Sequence, residues 1–134
     1  MNKTTENIIT KVPEITLLFW VVKIAATTLG ETGGDALSMS MNLGYLTATV
    51  IFAVIFIIAV GVQMKAKRFH PYVYWTTIIA TTTVGTTLAD YADRSLGIGY
   101  AGGTSLLFTL LIVSLVMWYR TLGTVSVESV SSPK

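Results

Sequence analysis

The sequence predicts an all-α integral membrane protein with four transmembrane helices, arranged as two parallel two-helix repeats, with both termini cytoplasmic. Three observations carry this: an apolar composition, four stretches long enough to span a bilayer, and a second half that repeats the first in one register. Of the 134 residues, 52% are apolar and 12% charged, and the mean hydropathy is +0.67. A soluble domain carries about 25% charged residues. Half that density cannot cover a water-facing surface, and disorder requires the opposite balance of low hydrophobicity and high charge.

The elements follow in order. Residues 1–12 form an N-terminal tail, and residues 13–64 form a first repeat of two spans. The first span runs from about Pro13 to Thr32 around Leu17-Leu18-Phe19-Trp20-Val21-Val22. Lys23 interrupts its apolar run and no small-residue cleavage site follows, so it reads as a retained helix rather than a signal peptide. The second span, from about Leu43 to Met64, is the most apolar. Residues 65–70 are a basic cytoplasmic loop, and residues 71–122 form a second repeat. His70-Pro71 starts its first helix, because proline suits the first helical position. The third span, from about Tyr72 to Asp90, is rich in threonine, and the fourth runs from about Tyr100 to Leu122. Residues 123–134 are a C-terminal tail. Each span approaches the roughly 20 residues a bilayer core requires. Lys65, Lys67 and Arg68 crowd the middle loop, Lys3 and Lys11 precede the first span, and Arg120 closes the fourth. The other connections hold Glu31, Asp35, Asp90 and Asp93, with Arg94 the lone base. Basic residues stay inside, so a multi-pass protein of the inner (cytoplasmic) membrane is expected, with its acidic connections outside.

The repeat is gapless. A shift of 55 residues carries Trp20 onto Trp75, Thr27 and Thr28 onto Thr82 and Thr83, and Gly30 onto Gly85. It also carries Thr32 onto Thr87, Asp35 onto Asp90, Ser40 onto Ser95, Tyr45 onto Tyr100 and Thr49 onto Thr104. Composition would match leucines; it would not align Trp, Gly, Asp and Tyr. Each copy holds an even number of spans, so both enter the membrane in the same direction, a geometry known in transporters.

The repeated helix has two distinctive faces. Ala26, Gly30 and Gly34 form a ridge reproduced by Thr81, Gly85 and Ala89, and small residues at this spacing let helix backbones approach closely. On the opposite side lie Thr28, Glu31, Thr32 and Asp35, matched by Thr83, Thr86, Thr87 and Asp90. Hydroxyls and carboxylates are costly against lipid, so this face is expected to line protein or water. Either it is a solvated helix end, or Thr28, Glu31, Thr32, Asp35, Thr83, Thr87 and Asp90 line an ion pathway. In the second case Glu31, Asp35 and Asp90 are the candidate metal ligands, and oxygen donors alone favour hard cations. Lys23 either snorkels to the surface, pairs with a carboxylate from another helix or another subunit, or acts as a tethered cation in that pathway. Gly33-Gly34 either breaks the helix or forms a turn.

Other chemistry is excluded or unsupported. There is no cysteine and one histidine, His70, which removes disulfides, thiolate metal sites and iron–sulfur clusters. No phosphate-binding loop, nucleophile elbow or zinc-protease helix is present. The pI of about 9.0 comes from the basic loop and calls for no nucleic acid. No enzymatic activity and no cofactor are expected. The leading expectation is a small transporter or channel for a cation (a divalent metal, Na⁺ or H⁺); the alternative is a structural or assembly subunit of a larger membrane complex.

The strings LFWVVKIAATTLGETGGDALS (Leu18 to Ser38) and YWTTIIATTTVGTTLADYADRSLGIGYAGG (Tyr74 to Gly103) resemble an uncharacterised bacterial family of membrane-anchored proteins built from a repeat of unknown function. The resemblance implies a bundle of two-helix units. It carries motif residues onto Thr27, Thr28, Gly30, Thr32 and Asp35, and onto Thr82, Thr83, Gly85, Thr87 and Asp90. It implies no activity. Members typically continue into two further repeats, whereas this chain stops at Ser132-Pro133-Lys134, so it looks like an N-terminal half. Such a half is expected to form a homodimer that restores four repeats.

Overall fold

The computed structural model describes residues 12–125. The expected tails therefore lie mostly outside the described residues, and Lys3 and Lys11 lie wholly outside them. The described residues contain four α-helices and no strand: α1 (Leu17–Asp35), α2 (Tyr45–Lys65), α3 (Pro71–Asp90) and α4 (Gly99–Leu122). A π-helical turn follows α1 at Ala36–Ser40, and another follows α3 at Tyr91–Ser95. Two of the helices, α2 and α4, are long and apolar enough to cross a membrane.

Local chemistry sets the boundaries. The Thr16 side chain accepts a hydrogen bond from the Phe19 N–H at 3.2 Å, so α1 starts four residues later than its apolar run. The helix then passes through Gly33-Gly34 without a break or a turn and ends at Asp35. Pro71 opens α3, as its fixed φ and missing N–H favour. Gly123, left-handed at φ 72°, caps α4 and donates its N–H to Tyr119 O at 2.8 Å.

The duplication extends to irregular backbone. The 55-residue shift places one π turn on the other, and Asp35 on Asp90 at the helix ends. It places left-handed Asn42 (φ 55°) on Gly97 (φ 71°), and Gly44 (φ 80°) on Gly99 (φ 69°). Even the hydrogen bond from Leu43 N to Leu37 O (3.3 Å) has its counterpart from Ile98 N to Ala92 O (3.4 Å).

The chain divides into two compact units, one ending at Tyr91 and one beginning at Ala92. In the first, α3 packs against both α1 and α2, which scarcely touch each other. The interior is made of small residues and hydroxyls. Among the described residues every buried apolar side chain is an alanine (Ala26, Ala48, Ala59, Ala80 and, in the second unit, Ala92), and the largest fully buried side chains are Thr83 and Thr87. Large apolar side chains such as Leu17, Ile57 and Met64 are exposed. This inverts the burial order of water-soluble proteins and matches helices associating in lipid, where close approach and hydrogen bonds replace the hydrophobic drive. In the second unit, α4 is almost wholly exposed along its apolar length.

Candidate functional site

The ridge on α1 forms the packing face that the sequence indicates. Ala26, Gly30 and Gly34 are buried. A Cβ on Gly30 would lie 3.0 Å from Ile79 O and 3.1 Å from the Thr83 hydroxyl, and one on Gly34 would lie 2.9 Å from Thr87 Cγ2. The partner of this ridge is the threonine face of α3. The Thr83 hydroxyl sits 2.9 Å from Gly30 O and 2.8 Å from Ile79 O, and its single proton is shared between them. Thr49 of α2 donates to the Thr87 hydroxyl at 2.9 Å, and Thr87 donates onward to Thr83 O at 2.9 Å. Phe19 and Trp75 extend the same joint, with ring centroids 5.7 Å apart.

The candidate pathway residues therefore separate into three groups by burial. Thr83 and Thr87 are buried between helices, where their hydroxyls join α3 to its neighbours. Thr28, Glu31, Thr32 and Asp35 are exposed on α1. Asp90 is half-buried at the end of α3, and Lys23 is half-buried on α1. The repeated faces are thus not used equivalently: a two-copy chain engages the small-residue face of its first copy and the hydroxyl face of its second. Among the described residues, no group of three His, Cys, Asp or Glu side chains gathers to hold a metal ion.

The second unit holds a further carboxylate, that of Asp93, one of the acidic residues in the connections between spans. Asp93 Oδ1 is buried and has no hydrogen-bond partner. Gly103 makes room for it, since a Cβ there would overlap the carboxylate. The repeat register holds the signal that could have found it. Asp93 stands where the first copy has Ser38, and Gly103 where the first copy has Ala48. Ser38 satisfies itself by donating to Gly34 O at 2.8 Å. An ionised carboxylate cannot donate, so the exchange leaves an acceptor without a donor.

No curated protein and no solved structure matches the chain. A family model described as Repeat of Unknown Function (DUF347) matches twice, at residues 18–69 and 73–124. The two matches begin 55 residues apart, the interval that aligns the two copies in sequence and in backbone geometry. The chain therefore belongs to this family of repeat proteins of unknown function, and it carries two of the repeats.

Proposed function

We propose that the chain is a multi-pass protein of the bacterial inner membrane, with four spans and cytoplasmic termini, that moves a cation across the bilayer. The observation that carries the reading is Asp93. A buried carboxylate oxygen without a donor is costly, and at the outer end of the helices, where the sequence places Asp93, it offers an oxygen ligand to an entering cation. A cation gives that oxygen the partner it lacks, a metal ion as counter-ion or H⁺ by protonating it. The acidic ends of the repeated helices support the same reading. Asp35 and Asp90 close α1 and α3 at equivalent positions, Glu31 and Thr32 stand exposed one turn earlier on α1, and Lys23 adds a half-buried cation to the same helix.

Flux into liposomes loaded with an ion-sensitive dye tests this reading for H⁺, Na⁺, K⁺, Mg²⁺, Ca²⁺ and Mn²⁺. Wild-type protein is expected to move at least one of them. Asp93→Asn is expected to lower that flux on the order of tenfold or more, as loss of an ionisable group in a route would. Asp35→Asn and Asp90→Asn are expected to lower it less. Wild-type liposomes impermeable to every ion, or an Asp93→Asn variant with unchanged flux, overturn the reading.

A specific observation favours a second reading. Thr83 and Thr87 are committed to helix packing, which suits a structural subunit of a larger membrane complex. A stoichiometric partner that co-purifies without crosslinking would support that reading.

A further inference from the structure

The joint between α1 and α3 is used once in the chain, yet both of its halves occur twice. Within the chain, Gly30 and Gly34 receive Thr83 and Thr87. The repeat supplies a second ridge at Gly85 and Ala89 and a second hydroxyl pair at Thr28 and Thr32. Neither is engaged. Nothing lies within 4 Å of a Cβ built on Gly85. Thr28 and Thr32 are exposed, and their side chains make no hydrogen bond among the described residues. Thr104, the counterpart of Thr49, is likewise exposed and makes none among the described residues.

The contrast with the engaged threonines is chemical. Thr83 and Thr87 each reach a carbonyl, whereas the same residue type at the same repeat positions on α1 reaches nothing. Unpartnered hydroxyls on one helix edge are unfavourable in hydrocarbon. A glycine-lined groove that exposes its carbonyls is their complement, as the internal joint demonstrates.

We infer that a second copy of this chain covers both surfaces. The Thr28 and Thr32 edge of one copy seats on the Gly85 ridge of the other, with the Thr28 hydroxyl donating to the Gly85 carbonyl as Thr83 donates to that of Gly30. Each copy carries one free half of each kind, so two copies satisfy each other twice and the assembly closes. Glu31 and Asp35 share the Thr28 edge of α1, so the joint brings the acidic residues of one copy to α3 of the other. The inference rests on the membrane reading proposed above and not on cation movement.

The chain has no cysteine, so paired cysteines report the joint directly. A disulfide requires Cα atoms within about 7 Å. The double variant Thr28→Cys with Gly85→Cys, oxidised in native membranes, is expected to yield a covalent dimer. Thr28→Cys paired with Gly61→Cys, a glycine of α2 that also faces open space, is expected to yield little. Gly85→Leu adds a side chain where a Cβ meets nothing within 4 Å. It is expected to keep helical circular dichroism while lowering the dimer fraction in mild detergent on the order of tenfold. A first pair that crosslinks no better than the control, or a Gly85→Leu protein as dimeric as wild type, overturns the inference whether or not cations cross the membrane.

Discussion

At the scale of single residues, the two copies differ most sharply at one exchanged pair. Ser38 and Ala48 of the first repeat become Asp93 and Gly103 in the second. The carboxylate is larger than the hydroxymethyl group it replaces, and the glycine gives back the volume of a methyl group. A Cβ restored at position 103 would overlap the Asp93 carboxylate, so Gly103→Ala is expected to destabilise the protein by about 1–3 kcal/mol, as overpacking does. Combining Gly103→Ala with Asp93→Ser recreates the pair of the first repeat and is expected to recover most of the loss. Unfolding by denaturant in detergent, followed by circular dichroism, checks both variants. A Gly103→Ala protein as stable as wild type would contradict the close approach. The exchange was legible in the sequence as two linked departures from the repeat. Its consequence, a buried acceptor without a donor, was not, because register says nothing about burial.

Among the helices, adjacent glycines in α1 separate packing from propensity. The sequence left Gly33-Gly34 open between a helix break and a turn, yet α1 runs through both. A Cβ on Gly33 meets nothing within 4 Å, whereas one on Gly34 lies 2.9 Å from Thr87 Cγ2 and 3.2 Å from Thr83 Cγ2. Gly33→Ala is therefore expected to stabilise by up to about 1 kcal/mol through helix propensity alone. Gly34→Ala is expected to cost about 1–3 kcal/mol, because the neighbouring methyl groups belong to β-branched side chains fixed in the joint. Thermal melts in detergent compare the two, and the same sign for both would mean that α1 does not pack on α3 through this ridge. The two faces of the repeated helix were legible from 3.6-residue periodicity, but the face each copy turns inward was not. Both copies carry both faces, and only the joining of one copy to the other selects the glycine face of α1 and the threonine face of α3.

For the whole molecule, the question is whether α1 and α3 cross the bilayer beside α2 and α4, which are apolar enough by composition. Composition undercounts α3. The Thr77, Thr81, Thr83, Thr86 and Thr87 hydroxyls each donate to the carbonyl four residues earlier, at 2.8–3.0 Å. A hydroxyl bonded to its own helix is satisfied without water, so the helix costs less in lipid than its threonine content suggests. Its 20 residues extend about 30 Å at 1.5 Å per residue, the thickness of a hydrocarbon core. With α1 spanning as well, the π turns fall on one side of the membrane and the basic loop on the other. Single cysteines in this cysteine-free chain, labelled by a membrane-impermeant maleimide in intact cells, check the arrangement. Met41→Cys and Leu96→Cys, just beyond the two π turns, are expected to label from outside, and Lys67→Cys only after permeabilisation. Labelling of Lys67→Cys and Met41→Cys from the same side would remove α2 as a crossing. Opposite labelling of Met41→Cys and Leu96→Cys would remove the parallel arrangement of the repeats, because two copies that each cross twice must return to the side on which they began.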